Sequence, residues 1–495
     1  MKLFATILTF VLTLAISSPS IGSIVWYVAP APVGDNWLGD GSMANPLATV
    51  QAALLRAQPT EYVELLPGTY TEFDIDLRSG VTVRSSTGIP EDVIIDAGLR
   101  GKVFQCADVE DVVFEGMTLM GASHGAIKCR YASITVRNCV FEDNVIHTHG
   151  GGALTCHFSD AILEDCSFNG NAARYFGGAI FADESSVVVD RCDFHGNAAD
   201  SNGGGACLWR SIGSFNGCWF HSNKANDGAG LYCKSSTLDV AGSVFFRNSA
   251  AGTAGAITCY RTPSTIMSCT FCDNEGYLAG AMNFWGNSPA MITNTIVAFS
   301  GRGTGIRCLG PMDVPTLVCC DIFGNTNGDW VGSFADQAAM NDNFSADPLF
   351  CNRWDGDLHL HPGSPCDHAT CGLIGALPVG CTPSPASLLD VAGDGAATSA
   401  LTFHLAPNVP NPFNPATEIG YSIPAGSEAS RVTLTVYNAL GQRIRTLVDA
   451  EQSAGAHAAV WDGMDEGGHS AASGVYFYRI TWNGRSETKR MVLLK

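Results

Sequence analysis

Six side chains of differing chemistry recur at near-constant intervals along this chain: His157, Asp183, Arg210, Lys234, Tyr260 and Trp285. Each stands three places after the last residue of a glycine-rich signal: GGAL at 151, GGAI at 177, GGAC at 204, GAGL at 228, AGAI at 254 and AGAM at 279. If the residue closing the signal points into a core, alternation by two turns the third residue after it outward. An outward file of aromatic, cationic and carboxylate groups suits stacking on sugar rings and hydrogen bonding to their hydroxyls. A solvated strand face of ordinary variety is the competing reading of the same file.

Other reactive or adhesive side chains lie in the loops between signals: His147 and His149, Arg174 with Tyr175 and Phe176, and Glu275 with Tyr277. His195 and His221 occupy equivalent places one repeat apart, where a metal pair or a proton shuttle could form. Chance register of surface histidines explains them as well.

What must position these groups is a second, stricter repeat. FEDN at 141, FNGN at 168, FHGN at 194, FHSN at 220, FFRN at 245 and FCDN at 271 follow one another at steps of 27, 26, 26, 25 and 26 residues, and IVAF at 296 and IFGN at 322 continue the series. A fixed period of this size means one supersecondary unit stacked many times, because a single unit cannot bury its own apolar face. Each unit reads as three short β segments with polar or glycine corners and no stretch of helical period, which excludes helical solenoids and leucine-rich repeats. The remaining architecture is a parallel β-helix, one coil per repeat, rising about 4.8 Å per coil.

Equivalent residues of such a coil stack in columns. Phe141, Phe168, Phe194, Phe220, Phe245 and Phe271 are expected as an inward aromatic stack. Asn144, Asn171, Asn197, Asn223, Asn248 and Asn274 are expected as a corner ladder of amides, structural because it recurs in every coil. Cys139, Cys166, Cys192, Cys218, Ser243 and Cys269, two places before each Phe, should lie inside as small hydrophobes rather than disulfides, because parallel side-chain vectors give a poor bridging dihedral.

The chain has 495 residues, 55 Gly, 15% charged residues and a formal charge of -20. That fits a long all-β solenoid with room for a second domain, and excludes nucleic acid as a partner. An acidic polysaccharide would need a bridging cation or a local basic patch. Residues 1–23, Met1-Lys2-Leu3 followed by an apolar run and then small residues, read as a secretory signal, and no later segment reads as a transmembrane span. The expected location is therefore secreted or at the cell surface. Cys351, Cys366, Cys371 and Cys381, past the repeat, are candidates for disulfides among themselves, with a zinc site as the alternative.

Residues 24–381 make up the solenoid, with a cap over about 24–60 and regular repeats over about 112–326. ATVQAALLRAQ, 48–58, reads as a short amphipathic capping helix. Residues 382–400, rich in Pro, Ser, Ala and Gly, read as a linker. From 401 to 495, strands of alternating polarity separated by turn residues indicate a small immunoglobulin-like β-sandwich.

Three resemblances rest on these residues. The alternating GGA[ILV] and FxxN halves resemble the repeats of polymorphic outer membrane proteins, which are surface adhesins. WYVAP at 26, ANPLATVQAAL, LLPGTYTE and ADPLF with GDLHLHPGSPC resemble secreted right-handed β-helix proteins of the pectate-lyase-like superfamily. That superfamily holds lyases, hydrolases, epimerases and non-catalytic binders, so the resemblance implies fold rather than reaction. NVPNPFNPATEIGYSIP, ASGVYFYRI and KRMVLLK resemble the C-terminal sorting domain of type IX secretion cargo, itself similar to the Ig-like domain of flagellar hook-capping proteins. Its hallmarks fall on Pro410, Asn411 and Pro412, on Gly474 and Tyr476, and on the basic last strand with Lys489 and Lys495. The resemblance implies export and surface attachment through the secretion machinery.

The paired aspartates of hydrolases of this fold, and the carboxylate cluster with a basic residue of its calcium-dependent lyases, find no match here. The expected function is non-catalytic adhesion or binding of an extracellular glycan or cell-surface polymer, with no cofactor required. The alternative is a polysaccharide lyase or glycoside hydrolase, which as a lyase would use Ca2+.

Overall fold

The computed structural model describes residues 24–367, 370–381 and, toward the C-terminus, 404–405, 408, 413, 416–423, 430–438, 442–453, 455–467, 469–483 and 485–493. The expected signal, the linker, Pro410, Asn411, Pro412 and Lys495 lie outside the described residues.

The first body winds around three parallel sheets. Sheet one carries the strands that follow the glycine-rich signal, such as Leu154–His157 and Ile180–Asp183, and beside them two-residue strands such as Ala172–Ala173. Sheet two has 12 strands, among them Ser186–Asp190, and sheet three 11, including Asp193–His195. Three tight corners per coil need backbone that L-residues seldom adopt. In one coil they are met by Glu184 (φ 50), Arg191 (φ 51) and Gly196 (φ 64).

The aromatic column forms as expected. Phe141, Phe168, Phe194, Phe220, Phe245 and Phe271 pair in register, with successive ring centroids 4.4 to 4.8 Å apart and planes within 7°. Val297 and Ile322 extend it.

Each corner is held by its own polar ladder. At the third corner the Oδ1 of each Asn accepts from the N–H and the Nδ2 of the Asn one coil earlier, for example Asn197 from Asn171 at 3.0 Å on both counts. Asn Nδ2 also donates to the Phe carbonyl of the preceding coil, as from Asn197 to Phe168 at 2.8 Å. At the first corner a hydroxyl ladder does the same work: Ser159, Ser185, Ser211, Ser236, Thr262 and Ser288 each accept a backbone N–H from one coil earlier at 3.0 to 3.2 Å. The cysteine column occupies the second corner, where Cys166, Cys192 and Cys218 donate to carbonyls two residues back. All members of this column are buried free thiols apart from Ser243, whose hydroxyl takes the same place. Buried backbone groups at the corners thus find partners without a regular turn bond.

The capping helix is shorter than its apolar pattern suggests, Val50–Leu54, with Thr49 Oγ1 accepting from Ala52 N–H and Glu72 accepting from Val50 and Gln51. One further turn runs to Ala57, whose N–H donates to the Ala53 carbonyl at 2.9 Å, and Pro59, which lacks an N–H and restricts Gln58, stops the chain from continuing as helix. Val50, Ala53 and Leu54 are buried over the open end of the core.

Past the last coil the chain doubles back. The hairpin of Phe350–Asn352 with Asp357–Leu360 packs Leu358 on Val244, Phe246 and Cys272 of sheet three, and its Leu360, with Cys366 and Ile374 of the segment that follows, on Ile296 and Ala298. Arg353 is wedged between the Phe299 and Trp354 rings, 4.0 and 4.2 Å from their centroids, with Asp273 at 3.4 Å. Two disulfides staple this strap, Cys351–Cys381 and Cys319–Cys371. Cys351–Cys381 is a pair within the four downstream cysteines, as expected; the expectation is corrected for the other two, since Cys371 reaches back to the last coil and Cys366 is a buried free thiol. Cys319 sits at a corner in left-handed backbone (φ 56), beside the thiol-column member Cys320, and is thereby open to a partner outside the coil. Among the described residues one group of three could hold a metal ion, Cys319, Asp342 and Cys371, and the disulfide consumes its two sulfurs.

The C-terminal region folds as two small antiparallel sheets of three and four strands around Trp461, Tyr478, Ile419, Leu434 and Met491. Among the described residues, no helix is long and apolar enough to cross a membrane.

Candidate ligand-binding face

The six-member file can now be traced on sheet one. Register runs from His157 to Asp183, Trp209, Lys234, Tyr260 and Trp285. Five of the expected members are in place, and Arg210 is not. Its coil contains three glycines in a row, Gly203 to Gly205, and Ala206, rather than Cys207, pairs with Ile180. The whole strand is therefore offset by one residue from the motif reading. Trp209 takes the outward place, and Arg210 falls on the following corner (φ 48).

Arg210 still reaches the file from that corner. Its guanidinium pairs with Asp183 at 2.5 Å and with Glu184 at 3.0 Å, while His157 Nδ1 lies 3.8 Å from the second Asp183 oxygen. Partial burial pulls the His157 pKa below its usual value, against the opposing pull of Asp183. At neutral pH His157 is a neutral hydrogen-bonding group on this face.

The upper part of the file is aromatic and cationic. Tyr260 and Trp285 are stacked with centroids 4.0 Å apart and a 31° tilt, and Lys234 Nζ lies 5.0 Å from the Trp209 ring. Arg261 sits over Tyr260 at 5.0 Å, and at the other end of the file Arg130, the register partner of His157, sits over Tyr131 at 5.3 Å. Resting on rings rather than on carboxylates leaves these charges unneutralised. The Nε1 atoms of Trp209 and Trp285 have no hydrogen-bond partner.

The strand position two places earlier also faces outward, yet Thr155, Phe181, Cys207, Tyr232, Thr258 and Asn283 are all buried there. The loops fold over them. Phe176 packs on Phe181 and on Trp209, 4.4 Å between the latter centroids, and His149 stacks on Tyr175 at 4.7 Å. These loop aromatics are thus scaffold for one flank of the face. Tyr277 is exposed, with Arg302 5.1 Å from its ring.

The structure does not bring His195 and His221 to this face. They lie on the outward side of sheet three, stacked 4.3 Å apart. Sequence reasoning missed Trp209 and the hydroxyl ladder; the run GGG at 203 and the Ser-rich corners were the available signals. In the C-terminal module Gly474 opens the strand Gly474–Trp482, Tyr476 donates its hydroxyl to the Ala472 carbonyl at 2.7 Å, and Lys489 lies on the last strand opposite Tyr478.

Comparison with known families now bears on both bodies. Residues 102–260 match the family model described as the right handed beta helix region. The solenoid is a right-handed parallel β-helix. Residues 408–486 match the FlgD Ig-like domain, in agreement with the two small antiparallel sheets. Among solved structures, pectate lyase Pel9A aligns at 13% identity and a TM-score of 0.41, over 72% of this chain and 97% of its own. A rhamnogalacturonan lyase aligns at 12% identity and a TM-score of 0.29, over 60% and 85%, and a family 28 exopolygalacturonase of Yersinia enterocolitica at 8% and 0.18, over 60% and 78%. Comparison with curated proteins gives no significant match.

Proposed function

We propose that this is an exported β-helix protein that binds an extracellular glycan or cell-surface polymer on sheet one without cleaving it, its C-terminal module serving secretion and surface attachment. The observation that carries this reading is the file of Trp209, Lys234, Tyr260 and Trp285, four register-paired outward side chains at successive strand spacings. These half-buried rings offer apolar contact to sugars, and the cations beside them form the local basic patch that an acidic glycan would need on a chain of net charge -20. No cofactor enters this reading.

A glycan panel scored for both binding and cleavage tests it. Binding should survive chelation and fall about tenfold or more, ~1.4 kcal/mol, in the Trp285→Ala, Tyr260→Ala double variant. Unchanged binding would remove this face from consideration. New unsaturated or reducing ends would replace the binding reading with a lyase or hydrolase. Export through the C-terminal module is tested by deleting residues 401–495 in the native host: the solenoid should fold and stay inside the envelope, and normal surface display would refute the assignment.

A further inference from the structure

A second cluster lies on a different sheet and is independent of the glycan reading. Asp193 and His195 share the outward side of one sheet-three strand, and in the next coil Trp219 and His221 are their register partners. The two imidazoles lie parallel, centroids 4.3 Å apart and planes within 12°. His221 Nε2 and Asp193 Oδ1 are 2.9 Å apart. A carboxylate only accepts, so Nε2 carries the proton, and in the neutral ring Nδ1 is left with its lone pair.

This is the arrangement by which proteins prepare a histidine for a metal ion: one ring nitrogen tied to a carboxylate, the other free to ligate. The rings are stacked, so their in-plane lone pairs run parallel, and rotation of the two rings about χ2 in opposite senses is what turns a nitrogen of each toward one ion at metal–nitrogen distances of ~2.0–2.1 Å. Trp219 beside Asp193 and Phe246 beyond His221 wall the pair on one side, while His195 is exposed to solvent that can complete the coordination.

We propose that His195 and His221 form a two-imidazole site for a borderline transition-metal ion, Cu(II) or Zn(II), with Asp193 as the outer carboxylate that orients His221. Imidazole pairs favour these ions over Ca2+ or Mg2+, which take oxygen ligands.

The test is calorimetric titration of the untagged full chain with Cu(II) and with Zn(II), and electron paramagnetic resonance of the Cu(II) form. One ion per chain and a spectrum with two equatorial nitrogen donors are expected. His195→Gln and His221→Ala should each weaken binding at least about tenfold, and Asp193→Asn, which leaves both imidazoles in place, about 10–100-fold. All three positions face outward, so unchanged circular dichroism and melting should accompany the losses; His157→Ala is the control expected to bind normally. Binding unchanged in the His195→Gln, His221→Ala double variant, or a spectrum without two nitrogens, would overturn the site. Binding unchanged in Asp193→Asn would overturn the part given to the carboxylate.

Discussion

Asp321 gives the most exacting test of how the solenoid closes. It opens the last strand of sheet three, is fully buried, and accepts from Ala346 N–H at 3.0 Å and from the Cys366 thiol at 3.4 Å. Burial, with Asp329 and Asp347 nearby, pushes its carboxyl from 3.8 up to about 7. Between those values the folded chain holds a proton that the unfolded chain has released. Stability therefore falls as pH rises through the window, and the loss is complete above it. An interval of about 3 pH units at ~1.36 kcal/mol each sets an upper bound of about 4 kcal/mol.

The effect should be local, because Asp321 ties the last coil to the segment around Ala346 and to the strap at Cys366. Native-state hydrogen exchange at the Ala346 amide and at Ile374, which donates to the Cys366 carbonyl, reads it directly. From pH 5 to pH 8, which spans about 2 of those 3 pH units, opening free energies at these amides should drop, after correction for intrinsic exchange, by up to about 2.7 kcal/mol in the parent chain. Asp321→Asn keeps the acceptor for Ala346 and abolishes the charge. It should give a flat profile that lies above the parent at pH 8. Parallel profiles in the two proteins would refute the reasoning.

Two further outcomes follow from the corner ladders. Asn197→Ala removes the acceptor of Asn171 and the donor to the Phe168 carbonyl, and should cost about 2–4 kcal/mol, read as a lower urea midpoint with early proteolysis near coil 168–223. The buried thiols, those of the second-corner column and Cys233 and Cys259 on sheet one, should be inert in the native state: burial raises Cys192 and Cys233 well above the usual thiol range and Cys218, Cys259 and Cys269 to about 12. At pH 8 a thiol reagent should find at most the half-buried Cys308, whereas denaturant should release all fifteen free cysteines; several fast-reacting thiols in the folded protein would contradict the packing.

Much of this fold was legible because stacking forces equivalent residues into columns. The Phe and Asn columns could be read by eye, since a ring and an amide each make the same contacts in every coil. The hydroxyl ladder was harder to see: Ser and Thr are common at any corner, and only the bond from one coil to the next sets these apart. Arg210 marks a different limit. Three consecutive glycines fit the signal in two registers, and the choice depends on which residue fills the core opposite Ile180, a tertiary matter. Cys371 shows the same limit at longer range, since its partner Cys319 is 52 residues away and met only once the strap folds back.

The outward faces also argue about one another. On sheet three the two outward columns read Ser167 and Asn169, Asp193 and His195, Trp219 and His221, and then turn apolar with Val244 and Phe246, Thr270 and Cys272, Ile296 and Ala298. The strap lies over the apolar part, so this sheet offers a ligand only its earlier coils. On sheet two the cations Arg84, Arg137 and Arg191 are held in ion pairs, with Glu64 at 2.6 Å, Glu164 at 2.6 Å and Asp165 at 2.7 Å. On sheet one Arg210 is paired with Asp183 and Glu184, but four further cations, Arg130, Lys234, Arg261 and Arg302, rest on rings. Cations held against aromatic faces keep most of their field for a ligand, whereas paired cations do not. The distribution of partners among the three sheets thus favours sheet one for a long polar polymer and leaves the earlier coils of sheet three for something as small as an ion.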